Sequence, residues 1–175
     1  MVLIQHYNLI RAVLALCLIC SSSISFGVTA VQLTPDVEEL ELQRQHIEMF
    51  EDQGDQLTIN EITTNNSILF TPANEDVINL GHTDSSIWAH FKVTVADDEE
   101  LSQTWVLESA FPLLQRFDIF VVKNGDIQQH FEIGYALPMM DRMLPHRFFA
   151  QPLKLKSGSE YDIYINAKRA GGSVQ

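Results

Sequence analysis

The chain of 175 residues carries 23 acidic against 11 basic side chains, which gives a formal net charge of −12 at pH 7. Such an acidic surface repels nucleic-acid phosphates and anionic lipid headgroups, so the charge argues against both as partners. The two cysteines, Cys17 and Cys20, both lie near the amino terminus, which leaves the rest of the chain without a disulfide, a thiol nucleophile or a cysteine metal site.

The first 30 residues have the features of a secretory signal peptide. Arg11 precedes an uninterrupted apolar run over residues 12–20, and Ala30 ends a stretch of small residues. A helix that spans a bilayer needs about 20 apolar residues, so this run is too short to cross a membrane. We predict export and cleavage after Ala30. An uncleaved anchor, or a lipoprotein with Cys20 as its acceptor, is the alternative, which the bulky residue before Cys20 disfavours.

The segment after the predicted cleavage site contains a strand and a helix. Residues 31–45 are acidic and are expected to form a loosely ordered lead-in to a domain at 46–175. Residues 46–51 alternate between apolar and polar and predict a first strand. Thr58 and Glu61 have the spacing of a capping box, so we expect one short helix to begin there and to end near residues 65–66.

Six short runs between residues 87 and 167 alternate apolar and polar side chains. A period of two places successive side chains on opposite sides of a strand, so each run offers one face to a core. Several such strands at short spacing predict an all-β fold, an antiparallel jelly roll or β-sandwich. The apolar members are Ile87, Ala89, Phe91, Val93 and Val95; Trp105 and Leu107; Phe117, Ile119 and Val121; Ile127, Phe131 and Ile133; Phe149, Leu153 and Leu155; and Tyr161, Ile163 and Ile165.

The third and fourth runs are joined by a hairpin whose register can be predicted. An Asn-Gly pair is typical of a two-residue turn. Here that turn would place Phe117 opposite Glu132 and would mix the apolar and polar faces. A three-residue loop over residues 123–125, with a left-handed Gly125, instead pairs Phe117 with Phe131. We predict this bulged hairpin, because a slip of one residue would move every side chain to the other face.

A set of residues between Gly81 and Gln175 has the order and spacing of one family. The set comprises Ile87-Trp88-Ala89-His90-Phe91, Trp105-Val106-Leu107-Glu108, Pro112-Leu113-Leu114, Phe117-Asp118-Ile119-Phe120, Gly125, Gly134, Pro138, Arg142, His146-Arg147, Phe149, Pro152-Leu153, Gly158 and Tyr164-Ile165. With these residues the chain resembles the type 2 extracellular domain of bacterial seven-transmembrane receptors with diverse intracellular signalling modules (7TMR-DISM).

The resemblance implies a jelly roll akin to carbohydrate-binding modules, placed in the periplasm on the outer face of the inner membrane. In such receptors seven membrane helices follow, and then a cytoplasmic cyclase, phosphatase or kinase. Residues 170–175 read as the approach to one more strand, so the resemblance implies the amino-terminal part of a longer receptor that lacks its last strand here. The implied function is sensing of a small polar ligand, with sugars among the candidates, and the implied partners are the receptor's own membrane helices.

One long loop, Tyr135 to Arg147, is the main candidate for ligand contact. Loops on a rigid sandwich are common binding sites, and an arginine fork suits carboxylates and sugar hydroxyls. We expect Arg142 to be the main anchor. The alternative is that Arg142 is a structural clamp on a carboxylate such as Asp118 or Glu108. The other candidate contacts of this loop are Tyr135, Asp141, His146 and Arg147.

The two tryptophans are candidates for sugar stacking. Trp105 shares a face with Leu107, which favours core packing. Trp88 lies on the face opposite Phe91, and that face is either exposed, as a binding platform requires, or covered by the upstream segment. We therefore keep Trp88 among the ligand-binding candidates.

No cofactor and no metal site is expected. His82, Asp84 and His90 are metal ligands by type, but their spacing is irregular. The acidic run 97–100 lacks the alternating ligands and the glycine of a calcium loop, and we interpret it as a solvated hairpin tip.

The sequence predicts a protein that is not an enzyme. It has no nucleophile elbow, phosphate loop or zinc-hydrolase motif. Two alternatives to the receptor domain remain. One is a free exported carbohydrate-binding module. The other is a small jelly-roll hydrolase with paired carboxylates, and its only support is the presence of acidic residues dispersed along the sequence.

Overall fold

A computed structural model describes residues 28–73, 85–98, 104–109, 114–134 and 149–169. Within these ranges the chain forms nine strands, one α-helix and a 3-10 turn. In chain order they are β1 (Val31–Leu33), the 3-10 turn Arg44–His46, β2 (Glu48–Asp52), α1 (Ile59–Thr64), β3 (Thr71–Pro72), β4 (Ser86–Val95), β5 (Thr104–Ser109), β6 (Leu114–Lys123), β7 (Asp126–Ile133), β8 (Phe149–Lys154) and β9 (Glu160–Arg169).

Two sheets contain all of the described strands. The larger has the order β3-β2-β4-β9-β6-β7, and its neighbours along this path are antiparallel. The smaller pairs β5 with β8, also antiparallel. The long strands β4, β9 and β6 form the centre of the large sheet. There β9 pairs with both β4 and β6, which lie far from it in the sequence.

The main core lies between the two sheets. The inward side chains of the alternating runs meet there, including Ile119, Val121 and Ile163, each with 0% of its surface exposed. From the small sheet, Phe149 and Leu153 are buried in the same cluster, and Trp105 and Leu107 pack against it. Trp105 therefore packs against the core, as predicted, and is itself partly buried. Each fully buried aliphatic side chain of this kind contributes about 1.5–3 kcal/mol to stability.

The opposite face of the large sheet is also covered. Trp88, Phe120 and Val122 are buried there together with Ile62 of α1, and the outer aromatic and aliphatic side chains of residues 50–70 pack around them. The predicted capping box holds α1 in place: the Thr58 hydroxyl accepts from the Glu61 amide, and the Glu61 carboxylate accepts from the Thr58 amide at 2.8 Å. The predicted helix and its end near residue 65 are therefore confirmed.

The hairpin between β6 and β7 differs from the prediction. Asn124 and Gly125 form a two-residue turn, with φ of +54° and +84°, and β7 carries a bulge at Gln128. Phe117 thus faces Ile133, not Phe131 as predicted. The turn follows the Asn-Gly rule, and the bulge restores the apolar face a few residues later.

The same bulge corrects the predicted face of Ile127. It pairs with Val122 on the outer side of the sheet and is 43% exposed, whereas Phe131 pairs with Ile119 on the inner side. Residues two apart in a strand share a face only while its pairing with the neighbouring strand is continuous. The extra residue in β7 therefore reverses the face of the β7 residues that precede it, including Ile127.

The amino-terminal segment is more ordered than expected. Residues 31–33 form β1, which pairs with β4 in parallel, and both Val31 and Leu33 are buried in the main core. The predicted strand at 46–51 is shifted to Glu48–Asp52, because Arg44–His46 form a 3-10 turn. The domain core therefore begins before residue 46.

The described residues form an all-β sandwich of antiparallel sheets, as predicted, with one short helix. Among them, no helix is both long and apolar enough to cross a membrane.

Candidate functional site

A cleft of about 440 Å³ opens on the outer face of the large sheet, beside the junction of β6, β7 and β9. Its walls are mostly charged or polar. They are formed by Asp55, Gln115, Arg116, Asp118, Glu132, Ile133 and Lys168.

The cleft owes its shape to a bulge in β6 and a glycine at the end of β7. The ladder between β6 and β9 shifts by one residue between Leu114 and Arg116, which leaves Gln115 as the extra residue. A side chain at Gly134 would overlap the backbone carbonyl of Gln115. Only glycine lets the two backbones approach this closely.

Three charged side chains join at the base of the cleft. Arg116 binds both carboxylate oxygens of Asp55, and Lys168 donates to Asp55 Oδ2 at 2.8 Å. Arg116 and Lys168 are directly opposed in the β6–β9 register, and Asp55 reaches them from the turn after β2. Burial alone would raise the pKa of Asp55, but the hydrogen bonds from Arg116 and Lys168 outweigh it and lower this pKa to about 2.

Asp118 lies two residues beyond Arg116, so the two side chains share a face of the strand. Asp118 Oδ2 is 3.2 Å from Arg116 Nε, while Oδ1 is buried with no hydrogen-bond partner among the described residues. Burial raises the pKa of Asp118 to about 6; the Arg116 charge opposes this rise, and the Glu132 carboxylate adds to it. The Asp118 carboxylate is thus only partly satisfied, in contrast to that of Asp55.

β7 brings two further polar side chains to the rim beside Asp118. Glu132 is directly opposite Asp118 in the hairpin, and His130 is opposite Phe120. The His130 ring lies flat on the Phe120 ring, with centroids 4.2 Å apart and an interplanar angle of 7°. One ligand atom from each of Asp118, His130 and Glu132 lies within 4.8 Å of the others.

A second polar group on the same face involves His90. Its Nδ1 is 2.6 Å from Glu48 Oε1 and its Nε2 is 2.8 Å from Asp162 Oδ1, while its ring stacks on Tyr164 at 4.4 Å. An imidazolium donates to both carboxylates, whereas a neutral ring donates to only one. The hydrogen bond from His90 lowers the pKa of Asp162. With both nitrogens occupied and 5% of its surface exposed, His90 is a structural link between β2, β4 and β9.

Most of the predicted ligand-binding residues lie outside the described ranges. This applies to Tyr135, Asp141, Arg142, His146 and Arg147, and also to two of the metal candidates, His82 and Asp84. The first five follow Gly134 in the sequence. The alternative role for Arg142 was a structural ion pair with a carboxylate such as Asp118 or Glu108. Among the described residues, the guanidinium beside Asp118 is that of Arg116.

Of the residues predicted to bind ligand, Trp88 lies within the described ranges. Of the two alternatives for its face, exposure or cover by the upstream segment, the structure has the second. The ring stacks on Phe120 at 5.9 Å, and 2% of the residue is exposed. A sugar could stack on this ring only after the covering segment moved.

Sequence patterns did not indicate that four residues would form one site: Asp55, Arg116, Lys168 and Glu132. The spacing of Arg116 and Asp118 is visible as an i, i+2 pair on one strand. The approach of Asp55, however, depends on a turn 61 residues earlier in the chain, and no local pattern reports it.

Comparison with known proteins identifies the family. The family model described as "7TMR-DISM extracellular 2" matches residues 44–175. A comparison with curated proteins gives no match. The matched range includes the helix, both sheets apart from β1, and every residue of the cleft. The chain therefore belongs to the 7TMR-DISM extracellular 2 family, the extracellular sensor domains of bacterial seven-transmembrane receptors.

Proposed function

We propose that this domain senses a small polar ligand in the periplasm, and that binding is relayed to the membrane helices of the receptor to which it belongs. Membership of a sensor-domain family supports an exported, non-enzymatic role. The observation that supports a polar ligand is the charged cleft beside Gly134.

The chemistry of the cleft favours a polar solute over an apolar one. Three carboxylates and two cationic side chains line it, so it offers acceptors and donors within one volume of about 440 Å³. Hydroxyl-rich and ionic small molecules can use both kinds of group. A sugar is one member of this class, and organic acids and peptidoglycan fragments are others.

Arg142 is the proposed main anchor of the ligand. Its loop begins in sequence two residues after the cleft residue Ile133. The planar fork of the arginine can hold two acceptors at once. Prolines at 138 and 145 limit the conformational entropy that the loop loses when a ligand orders it.

A thermal-shift screen of sugars, organic acids and peptidoglycan fragments tests this proposal. A ligand that binds only the folded protein stabilises it by about 2.7 kcal/mol at a hundredfold excess over the dissociation constant. Arg142→Ala should abolish the shift and leave the unliganded melting temperature within a few degrees. Lys154→Ala, an exposed cation on β8 outside the cleft, is the matched control and should keep the shift.

Two outcomes would contradict the proposal. If Arg142→Ala unfolds the protein without any ligand, the arginine is a structural clamp. If the protein is recovered wholly in the soluble periplasmic fraction from its native host, the free exported carbohydrate-binding module is favoured over the receptor domain.

A further inference from the structure

The rim of the cleft contains a group with the composition of a metal site. Asp118, His130 and Glu132 supply two carboxylates and one imidazole, a ligand set that suits divalent transition metals such as Zn²⁺. Their ligand atoms lie within 4.8 Å of one another, so small side-chain rotations bring all three to one ion.

The sheet itself creates this arrangement. The bulge at Gln128 sets the register that places Glu132 opposite Asp118, and His130 lies one diagonal step away on the same face. All three side chains are thus carried by one antiparallel hairpin, whose backbone is fixed by the β6–β9 pairing on the other side. Sites on strands hold their ligands more accurately than sites on loops.

Two further features favour metal binding, one at Asp118 and one at His130. Arg116 faces only one oxygen of Asp118, and the other oxygen, Oδ1, is buried without a hydrogen-bond partner in the described part of the chain. A buried acceptor without a donor is costly, and a cation would satisfy it. The flat stack on Phe120 fixes the plane of the His130 ring, as outer contacts do for metal-bound histidines.

The charge balance of the cleft also suits a cation. Asp55 is hydrogen-bonded by both Arg116 and Lys168, whereas Asp118 has, among the described residues, only the contact of one oxygen with Arg116 Nε at 3.2 Å. Asp118 and Glu132 are left facing each other across the hairpin. Like charges directly opposite on neighbouring strands are unfavourable, and a bound divalent ion would remove this repulsion.

We propose that Asp118, His130 and Glu132 bind one divalent transition-metal ion, Zn²⁺ in the first instance, at the rim of the cleft. Three protein ligands leave a coordination position open toward the cleft, where a hydroxyl or carboxylate of a solute can join the ion. The inference deepens the proposed function, because the metal would form part of the same binding site.

The experiment titrates ZnCl₂ into the exported protein after treatment with EDTA, and measures binding by isothermal calorimetry. We expect one Zn²⁺ per chain. His130→Gln and Glu132→Gln should each weaken binding at least tenfold. Both side chains are exposed, so these variants should keep the far-ultraviolet circular dichroism of the native fold. Replacement of Zn²⁺ by Co²⁺ adds a visible absorption spectrum that reports the coordination and should be lost in both variants.

Matched controls separate this site from adventitious binding. Glu160→Gln changes an exposed carboxylate on β9, and His46→Gln changes a half-buried histidine in the 3-10 turn; both should bind Zn²⁺ as the native protein does. The proposal is overturned if no Zn²⁺ binds, or if binding persists unchanged in the two site variants.

The proposed metal site and the proposed ligand class can be refuted independently. The Zn²⁺ titration contains no organic ligand, and the thermal-shift screen can be run in EDTA. A protein that binds Zn²⁺ but no solute would refute the proposed ligand class alone, whereas a solute that binds equally well in EDTA and in the His130→Gln variant would refute the metal's part in the site.

Discussion

Replacement of Gly134 by alanine should destabilise the domain by about 3 kcal/mol, because the new methyl group has no space. It would overlap the carbonyl oxygen of Gln115, and it would lie 2.9 Å from the carbonyl carbon and 3.3 Å from Arg116 Cα. All three obstacles are backbone atoms at the β6 bulge, so no side-chain rotation can relieve the contact. The two backbones must move apart, and with them the strands that carry the cleft.

The size of the effect can be measured by chemical denaturation or by melting temperature. For a domain of this length, 1 kcal/mol corresponds to about 2–4 °C in melting temperature, so we expect a fall of about 6–12 °C. Gly125 is the matched control. Nothing lies within 4 Å of a methyl group there, but φ is +84°. Gly125→Ala should therefore cost about 1–2 kcal/mol through backbone conformation alone.

Asparagine distinguishes the two causes. It tolerates the left-handed conformation better than alanine, so Gly125→Asn should recover part of the loss, whereas Gly134→Asn should be at least as destabilised as Gly134→Ala. If Gly134→Ala melts within 1 °C of the native protein, the close approach of β7 to the β6 bulge is absent, and the register around the cleft is wrong.

Three other predictions concern the ion pairs, the outer core and the amino terminus. The pKa of Asp55 is about 2 in the folded protein against an ordinary value of 3.8, so its contribution to stability is complete above about pH 5 and is lost as the pH falls through 2. Asp55→Asn should cost about 1 kcal/mol at pH 7 after allowance for solvent screening, and in urea titrations the difference from the native protein should shrink as the pH falls and vanish only below about pH 2. An equal loss for Asp126→Asn, at the exposed hairpin tip, would contradict this reasoning. Trp88→Ala should cost about 3–5 kcal/mol by denaturation, because the side chain is almost fully buried, and a loss below 1 kcal/mol would show that the outer face is open. Mass spectrometry of the exported protein should give a chain that begins at Val31, and a full-length, membrane-retained product would refute cleavage after Ala30.

Local chemistry was sufficient for much of the fold. The alternating runs predicted the inward faces of β4, β6, β8 and β9 because the period of two is a property of each strand alone. The capping box at Thr58 predicted α1 for the same reason, since its hydrogen bonds join residues three apart. The resemblance to the 7TMR-DISM domain predicted the family that the comparison identifies.

The register and the cleft required the tertiary structure. A bulge can be placed at several points of a strand with little local difference, so Gln128 and Gln115 became the extra residues only because their partners β6 and β9 fix the apolar faces on both sides. The early strand β1 likewise gains its order from β4, since three residues cannot form a stable strand alone.

The sequence by itself determined the period of the strands, the helix cap and the family. It did not determine the hairpin at Asn124-Gly125, because the prediction placed the extra residue in the loop and not in β7. The tertiary structure decided which polar residues meet. Asp55 joins Arg116 and Lys168 from segments 61 and 113 residues away, and His130 joins Asp118 and Glu132 only in the register that the bulge imposes. Such convergence is a property of the whole sheet, because the position of each side chain is set by hydrogen bonds to strands that are distant in the chain.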